Sequence, residues 1–443
     1  VDLHDLLGTS FDCECGRSHT VPTEHLVFDA DAIEQLARRA SEYVPRPDYL
    51  ILADERTFGV AGRLVEEALE ERAASVSRFI VPDPDGESPA TDDTTRDLIL
   101  SRAPLAEMYI AAGSGVINDL TKWVAHERQK PFLTLATAAS MNGYASANVS
   151  ATIEGLKVLF HAEACKGVFA LPEVIEQAPF ELTAAGLGDV VAKTVSSADW
   201  KLNQLLFDEY YCQFSVDLLK DLEPVYLNRP EKIRKRDPEA IQALFHALFW
   251  SSVAMTITGT SSPASGGEHL ISHTLDMHAA VKGVKHDLHG KQVGVGTILS
   301  AALYDEILRI ERPEIREIPA EIDTSFWGPL AGVVEDAYRK KLPKVERAAR
   351  KLTEPRTWDA LRSLLKESLV SPRKLKNCLE QAGAAHRVSD LHIGDKSMTP
   401  DLFLRAWKNA CQMRERFTVL DLAFLLGVLP ERAEDILAEW VIT

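Results

Sequence analysis

The chain has 443 residues, 46% of them apolar, enough for two or three domains and too many apolar groups for wholesale disorder. Its 49 Lys and Arg against 66 Asp and Glu leave a net charge of -17. That sets the surface against nucleic acid and anionic lipid, so an anionic small substrate needs a local basic or metal-centred site. Six cysteines in so long a chain argue against a disulfide scaffold and for a reducing compartment, the cytoplasm. No membrane span is expected, because the most apolar stretch, residues 244–259, is short and broken by His246, Ser251, Ser252 and Thr256. The start, Val1-Asp2-Leu3-His4-Asp5, lacks the basic and apolar regions of a leader.

In chain order, residues 49–54 form a short apolar run ending in Asp54 and read as a strand. Residues 59–74 carry a helical stripe through Val60, Leu64, Ala68 and Leu69. Residues 76–81, 108–112 and 132–136 are further strands, and strands spaced by helices predict a parallel sheet with crossover connections. Residues 82–97, rich in Pro, Asp, Ser and Thr, read as a solvated loop. From about residue 173 helical patterns dominate, at 186–206, 207–221, 238–257, 289–309, 326–352, 357–367 and 419–440. The predicted organisation is an α/β nucleotide-binding domain over residues 1–172 and a helical metal- and substrate-binding domain over residues 173–443.

Two small-residue turns carry the first chemistry. Gly113-Ser114-Gly115-Val116-Ile117-Asn118-Asp119 follows a strand and opens a helix, where bare backbone and free amides suit a pyrophosphate. Asp54 ends an earlier strand, where a carboxylate bonds a ribose hydroxyl; an acid there disfavours a 2′-phosphate and so favours NAD over NADP. Thr137-Ala138-Ala139-Ser140-Met141-Asn142-Gly143-Tyr144-Ala145-Ser146 is a second such turn after the next strand, fitting a ligand crevice on an open sheet.

Histidines carry the second. His269, His273, His278, His286 and His289 crowd one segment, and His269 and His273 are four apart, on one helix face. Imidazoles with a carboxylate suit a divalent Zn²⁺, Ni²⁺ or Fe²⁺, with three protein ligands at a catalytic site. Composition alone leaves the third ligand open, and His278 and His286 read as bystanders. Cys13-Glu14-Cys15-Gly16-Arg17-Ser18-His19 offers thiolates and an imidazole but lacks a fourth partner and finger spacing, and is read as structural or incidental. Cys165, Cys212, Cys378 and Cys411 read as buried small residues.

Gly113-Ser-Gly-Val-Ile-Asn-Asp119, Thr137-Ala-Ala-Ser140, Ala185-Gly-Leu-Gly-Asp189, Pro263-Ala-Ser-Gly-Gly-Glu-His269 and His289-Gly-Lys-Gln-Val-Gly294 together resemble the sn-glycerol-1-phosphate dehydrogenase family, in the superfamily of iron-dependent alcohol dehydrogenases and dehydroquinate synthase. The resemblance implies a Rossmann-like N-terminal domain, an all-α C-terminal domain and a site in the cleft between them. It implies that Asp54, residues 113–119, Thr137, Ala138, Ala139, Ser140 and Ser146 contact NAD or NADP. It further implies that Asp189, His269 and His289 hold the metal, that Asp189 and His273 serve catalysis and touch substrate with residue 142, and that the protein is a homodimer or larger. The reaction implied interconverts dihydroxyacetone phosphate and sn-glycerol 1-phosphate or a related polyol phosphate. A dehydroquinate synthase-like lyase or cyclase using NAD transiently, or a non-catalytic nucleotide- or metal-binding homologue, are the alternatives. The chain departs from the family at Asn142, where an Asp is usual, and at Ser262, where an Arg is usual; both bear on the substrate.

Overall fold

The computed structural model describes residues 3–44, 47–72, 75–84 and 88–442; the parts of the expectations above that fall on residues 1–2, 45–46, 73–74, 85–87 and 443 lie outside the described residues. The chain forms two compact units, one of Val1–Gly186, Asp217–Val225 and Lys235–Thr260, the other of Leu187–Val216, Tyr226–Arg234 and Ser261–Thr443.

The first unit is built on runs too apolar to face water on either side. Strand β4 (Asp48–Ala53) buries every residue but its first, and β6 (Met108–Gly113) and β7 (Phe132–Ala136) are buried throughout. That is the signature of parallel strands covered on both faces. With β3 (His25–Phe28), β5 (Ser75–Ile80) and β10 (Gly167–Ala170) they make a six-stranded parallel sheet in the order β3-β10-β7-β6-β4-β5. Leaving β4, the chain adds β5 on one side and then β6 on the other, so the strand order reverses between β4 and β6. Helices Ala32–Tyr43 and Arg63–Glu70 bury Leu36, Ala40, Val65 and Leu69 against one face of it.

Two antiparallel hairpins complete the unit: β1 (Ser10–Asp12) with β2 (Ser18–Thr20), and β8 (Asn148–Ile153) with β9 (Leu156–His161). The second packs Val149 and Ala151 on Trp123 of helix Gly115–Glu127. Helix Pro238–Thr258 is long and apolar enough to cross a membrane, but 78% of its apolar window is buried inside the structure.

The second unit, expected to be all-α, is helical apart from a short antiparallel hairpin of His392–Ile393 with Lys396–Ser397. Helix Gly267–Lys282 packs along helix His289–Leu308. Close approach is set by missing side chains: a Cβ on Gly296 would come within 2.8 Å of the Glu268 carbonyl oxygen, and one on Gly188 would overlap the carbonyl of Gly290. Gly283, at φ +63, ends the first of these helices in the left-handed conformation. Lys341 and Asp421, both buried, pair at 2.7 Å.

Some elements differ from expectation. The stretch read as loop to residue 97 becomes helix Asp93–Arg102, because Asp92 accepts a bond from the Thr95 amide and caps it. Residues 186–206 divide into helices Phe180–Val191 and Lys193–Phe207, and 207–221 holds only the short helix Gln213–Asp217, after Asp208 turns left-handed at φ 57. Residues 419–440 hold helices Val419–Leu425 and Ala433–Leu437, parted by Gly427 at φ +67 and Pro430.

Candidate functional site

In the first unit the two small-residue turns open at the carboxyl ends of adjacent strands. Gly113 ends β6, paired with Ala136 at the end of β7, and Leu52 near the end of β4 faces Ala111. Ligands bind open α/β sheets outside the carboxyl ends where strand order reverses, which here is between Asp54 and Gly113. Ser114 caps helix Gly115–Glu127 without a side-chain hydrogen bond to the helix amides. Free first-turn amides and the positive helix end are the groups a phosphate takes.

The polar residues of this turn brace it from beneath. Asn118 is buried and accepts a 2.8 Å bond from Thr134. Lys122, also buried, donates to Asp119 (2.9 Å), to the Gly143 carbonyl (3.0 Å) and to the Asn148 carbonyl (3.0 Å), tying the first turn to the second. The second turn is anchored further: the Thr137 amide donates to Gly113, Tyr144 donates to the Ala138 carbonyl (2.6 Å), and the Ala145 amide donates to Ser252 (3.0 Å). Ala139 lies against Gly186, where any Cβ would overlap its carbonyl. Ser140 and Asn142 are half-buried, and Ser146 is buried, its hydroxyl accepting from the Asn148 amide.

Asp54 caps a short helix through the Thr57 amide (2.8 Å) and accepts from Arg56 at 3.0 Å. Arg56 is held by Asp83 as well, and these two acids raise its pKa against burial. The end of β4 thus presents an acid and a guanidinium together, the pair of groups that can read a 2′-hydroxyl and a 2′-phosphate respectively.

In the second unit, oxygen of Asp189 and ring nitrogens of His269 and His289 lie within 4.8 Å of one another. His269 Nε2 is 3.4 Å, and His289 Nε2 3.9 Å, from the same Asp189 oxygen. The second ring nitrogens are engaged: His269 Nδ1 donates to Glu268 (2.9 Å), and His289 Nδ1 lies 3.0 Å from the Ser272 hydroxyl. The Gln292 amide donates to that hydroxyl (2.8 Å) and to Asp276 (3.0 Å). Outer partners of this kind fix ring orientation at metal sites. Burial disfavours a charged His269, yet Asp189 and Glu268 outweigh it and raise its pKa to about 9. Two imidazoles and two carboxylates thus converge where positive charge is demanded, and the donor set fits a divalent metal.

His273 stands one turn along from His269, its ring stacked on His289 at 5.4 Å. His273, Asp276 and His289 form a second triplet within 4.8 Å, so His289 serves both. His278 stacks instead on Phe326, and His286 faces Asp276 at 3.3 Å.

A family model for iron-containing alcohol dehydrogenases matches residues 27–179. Glycerol-1-phosphate dehydrogenase [NAD(P)+] of Halalkalibacterium halodurans is 30% identical over 92% of this chain and 94% of its own length. The chain belongs to the glycerol-1-phosphate dehydrogenase family. A relative of the same name from Geobacillus stearothermophilus is also 30% identical, over 94% of this chain and 96% of its own. The fold is that of glycerol dehydrogenase from Schizosaccharomyces pombe, at a TM-score of 0.61 with 14% identity over 94% of this chain and 91% of that one. An archaeal alcohol dehydrogenase from a Red Sea brine pool gives 0.59, with 13% identity over 97% and 99%.

Sequence reading missed several residues that brace this candidate site. Buried Asp199 accepts from the Gly267 and Val419 amides (both 2.7 Å) and from Tyr304. Burial and the Glu268 charge push its pKa up to about 7. It thereby caps the helix that carries His269. Arg416 donates to the Ser261 hydroxyl (2.9 Å) and the Ser265 carbonyl, so the loop that has Ser262 in place of arginine receives a guanidinium from elsewhere in the chain. Glu268 stood in the quoted Pro263–His269 motif, where its neighbour His269 was the only signal for it.

Proposed function

We propose that the chain is a divalent-metal-dependent, NAD(P)-linked dehydrogenase interconverting dihydroxyacetone phosphate and sn-glycerol 1-phosphate or a closely related polyol phosphate. The observation that carries the reading is the convergence of Asp189, His269 and His289 within 4.8 Å, in a chain whose full-length relatives are named glycerol-1-phosphate dehydrogenases.

When bound, the metal supplies Lewis acidity to the substrate oxygen and the dinucleotide supplies or takes the hydride. Asp189, His269 and His289 would hold the cation, and Glu268 orients His269 so that Nε2, once its proton is displaced, would offer its lone pair on the Asp189 side. His273 is positioned to hold and pass the proton that accompanies hydride transfer, being a mostly buried imidazole beside His289. The residue 113–119 turn takes the pyrophosphate through its amides, with Thr137, Ala138, Ala139, Ser140 and Ser146 lining the neighbouring turn for the rest of the cofactor. Asp54 and Arg56 make both NAD and NADP admissible, which supports NAD(P) over a strict NAD preference. Asn142 binds a substrate hydroxyl by its amide where the family uses a carboxylate.

The test is oxidation of NADH and NADPH by protein loaded with a defined metal, across triose and ketose phosphates. Stoichiometric consumption with dihydroxyacetone phosphate is expected. No net consumption with any of them removes the proposal.

A further inference from the structure

A second set of metal-ligating side chains lies in the first unit. Cys13-Glu14-Cys15-Gly16-Arg17 turns the chain from β1 to β2. Gly16, at φ +82, permits the reversal; its amide donates to the Cys13 carbonyl (2.9 Å), and the Cys13 amide donates to the Arg17 carbonyl (3.0 Å). The turn brings sulfur of Cys13, sulfur of Cys15 and a ring nitrogen of His19 within 4.8 Å of one another.

The ring nitrogen can be assigned. His19 Nδ1 lies 2.7 Å from the Ile257 carbonyl oxygen, which can only accept, so Nδ1 carries the proton. In the neutral ring the lone pair is then on Nε2, and Nε2 is the atom 3.3 Å from Cys15 sulfur. A ring buried to 1% exposure, held by a carbonyl on its far nitrogen and aimed at thiols, has the outer-partner geometry of a histidine metal ligand. The carbonyl that holds it is in the last turn of helix Pro238–Thr258, where helix carbonyls lack intrahelical partners. Cys165, in the same unit, shows the contrast: it donates to the Tyr144 carbonyl at 3.4 Å, and burial pushes its thiol up to about 11.

We propose that Cys13, Cys15 and His19 bind Zn²⁺ as a structural staple of the β1–β2 hairpin. Two sulfurs and one imidazole favour a soft, tetrahedral cation over the hard ions that carboxylates select. Binding forms two S–Zn bonds and one N–Zn bond and releases the two thiol protons to solvent. The fourth position is filled by solvent or by a donor from outside the hairpin. The proposal is independent of the dehydrogenase reading, since it needs no substrate and no turnover.

Cobalt substitution of the purified full-length protein tests it, because thiolate ligation gives a charge-transfer absorption that Asp189, His269 and His289 alone cannot give. One thiolate-bound Co²⁺ per chain is expected in the unaltered protein. The band should vanish in the Cys13→Ser/Cys15→Ser double variant and persist in Cys165→Ala. Absence of the band in the unaltered protein, its survival in the double variant, or a Cys13–Cys15 disulfide in freshly reduced and re-aerated protein would each overturn it. The reading on the unaltered protein stands whether or not the variants fold.

Discussion

The two units present their chemistry by opposite means. In the first, the turn proposed to take phosphate offers backbone: Ser114 makes no side-chain cap hydrogen bond to the helix it opens. In the second, Asp189, His269 and His289 offer side chains, the two rings oriented by Glu268 and Ser272. A backbone site is indifferent to most side-chain exchanges, while a side-chain site fails with one. Variants in the two regions should therefore differ in effect by orders of magnitude.

The largest effect is expected from His269→Ala, which removes a ligand outright. Metal content measured by elemental analysis should fall to near zero, and activity by more than the ~100-fold that a ligand's outer partner commands. Glu268→Gln keeps an acceptor for His269 Nδ1 but removes the charge, and metal affinity should drop about 10–100-fold while far-ultraviolet circular dichroism stays unchanged. Acidity acts on the same ring. Metal-free His269 is protonated up to about pH 9, so a metal must displace a proton below that value. Affinity by calorimetry should rise by about tenfold per pH unit from neutrality and level off above pH 9. The sign for folding is opposite: because the folded pKa is raised, the proton's stabilisation of metal-free protein is full below about pH 6.5 and lost as pH climbs through about 9. A metal-free protein whose melting temperature rises over that interval would contradict the assignment.

In the first unit, Arg56→Ala removes a charged donor beside Asp54, and kcat/KM for NADPH relative to NADH should fall roughly tenfold, from the ~1.5 kcal/mol or more of a charged hydrogen bond. Ser114→Ala should be the quietest, less than about twofold in cofactor KM, because that side chain makes no cap bond to lose. A large loss there would erase the contrast between the units.

What could be read in the sequence follows the same division. β4, β6 and β7 were visible as apolar runs because both faces of a parallel strand are covered. β3 and β10 have only four residues each, too few to show a period, and were not found. The Asp92 cap was hidden in a stretch whose Asp and Thr content suits loop and helix start alike. Spacing put His269 and His273 on one helix face, and that helix is present. Asp189 entered through family resemblance alone, since a single acid in a helix carries no local mark. Asp199, Tyr304 and Arg416 were invisible for a related reason: their partners lie 68 or more residues away, so only the folded chain joins them.

The bare contact between Gly188 and Gly290 has a last consequence for Asp189. With no side chain to compress on either partner, the height at which that carboxylate is presented is fixed by two main chains touching. Cations of different radius cannot be accommodated by lifting it. The adjustment falls to the rings of His269 and His289, hinged on Glu268 and Ser272, so tuning toward a larger or smaller ion would proceed through those two hinges while the glycines stay untouched.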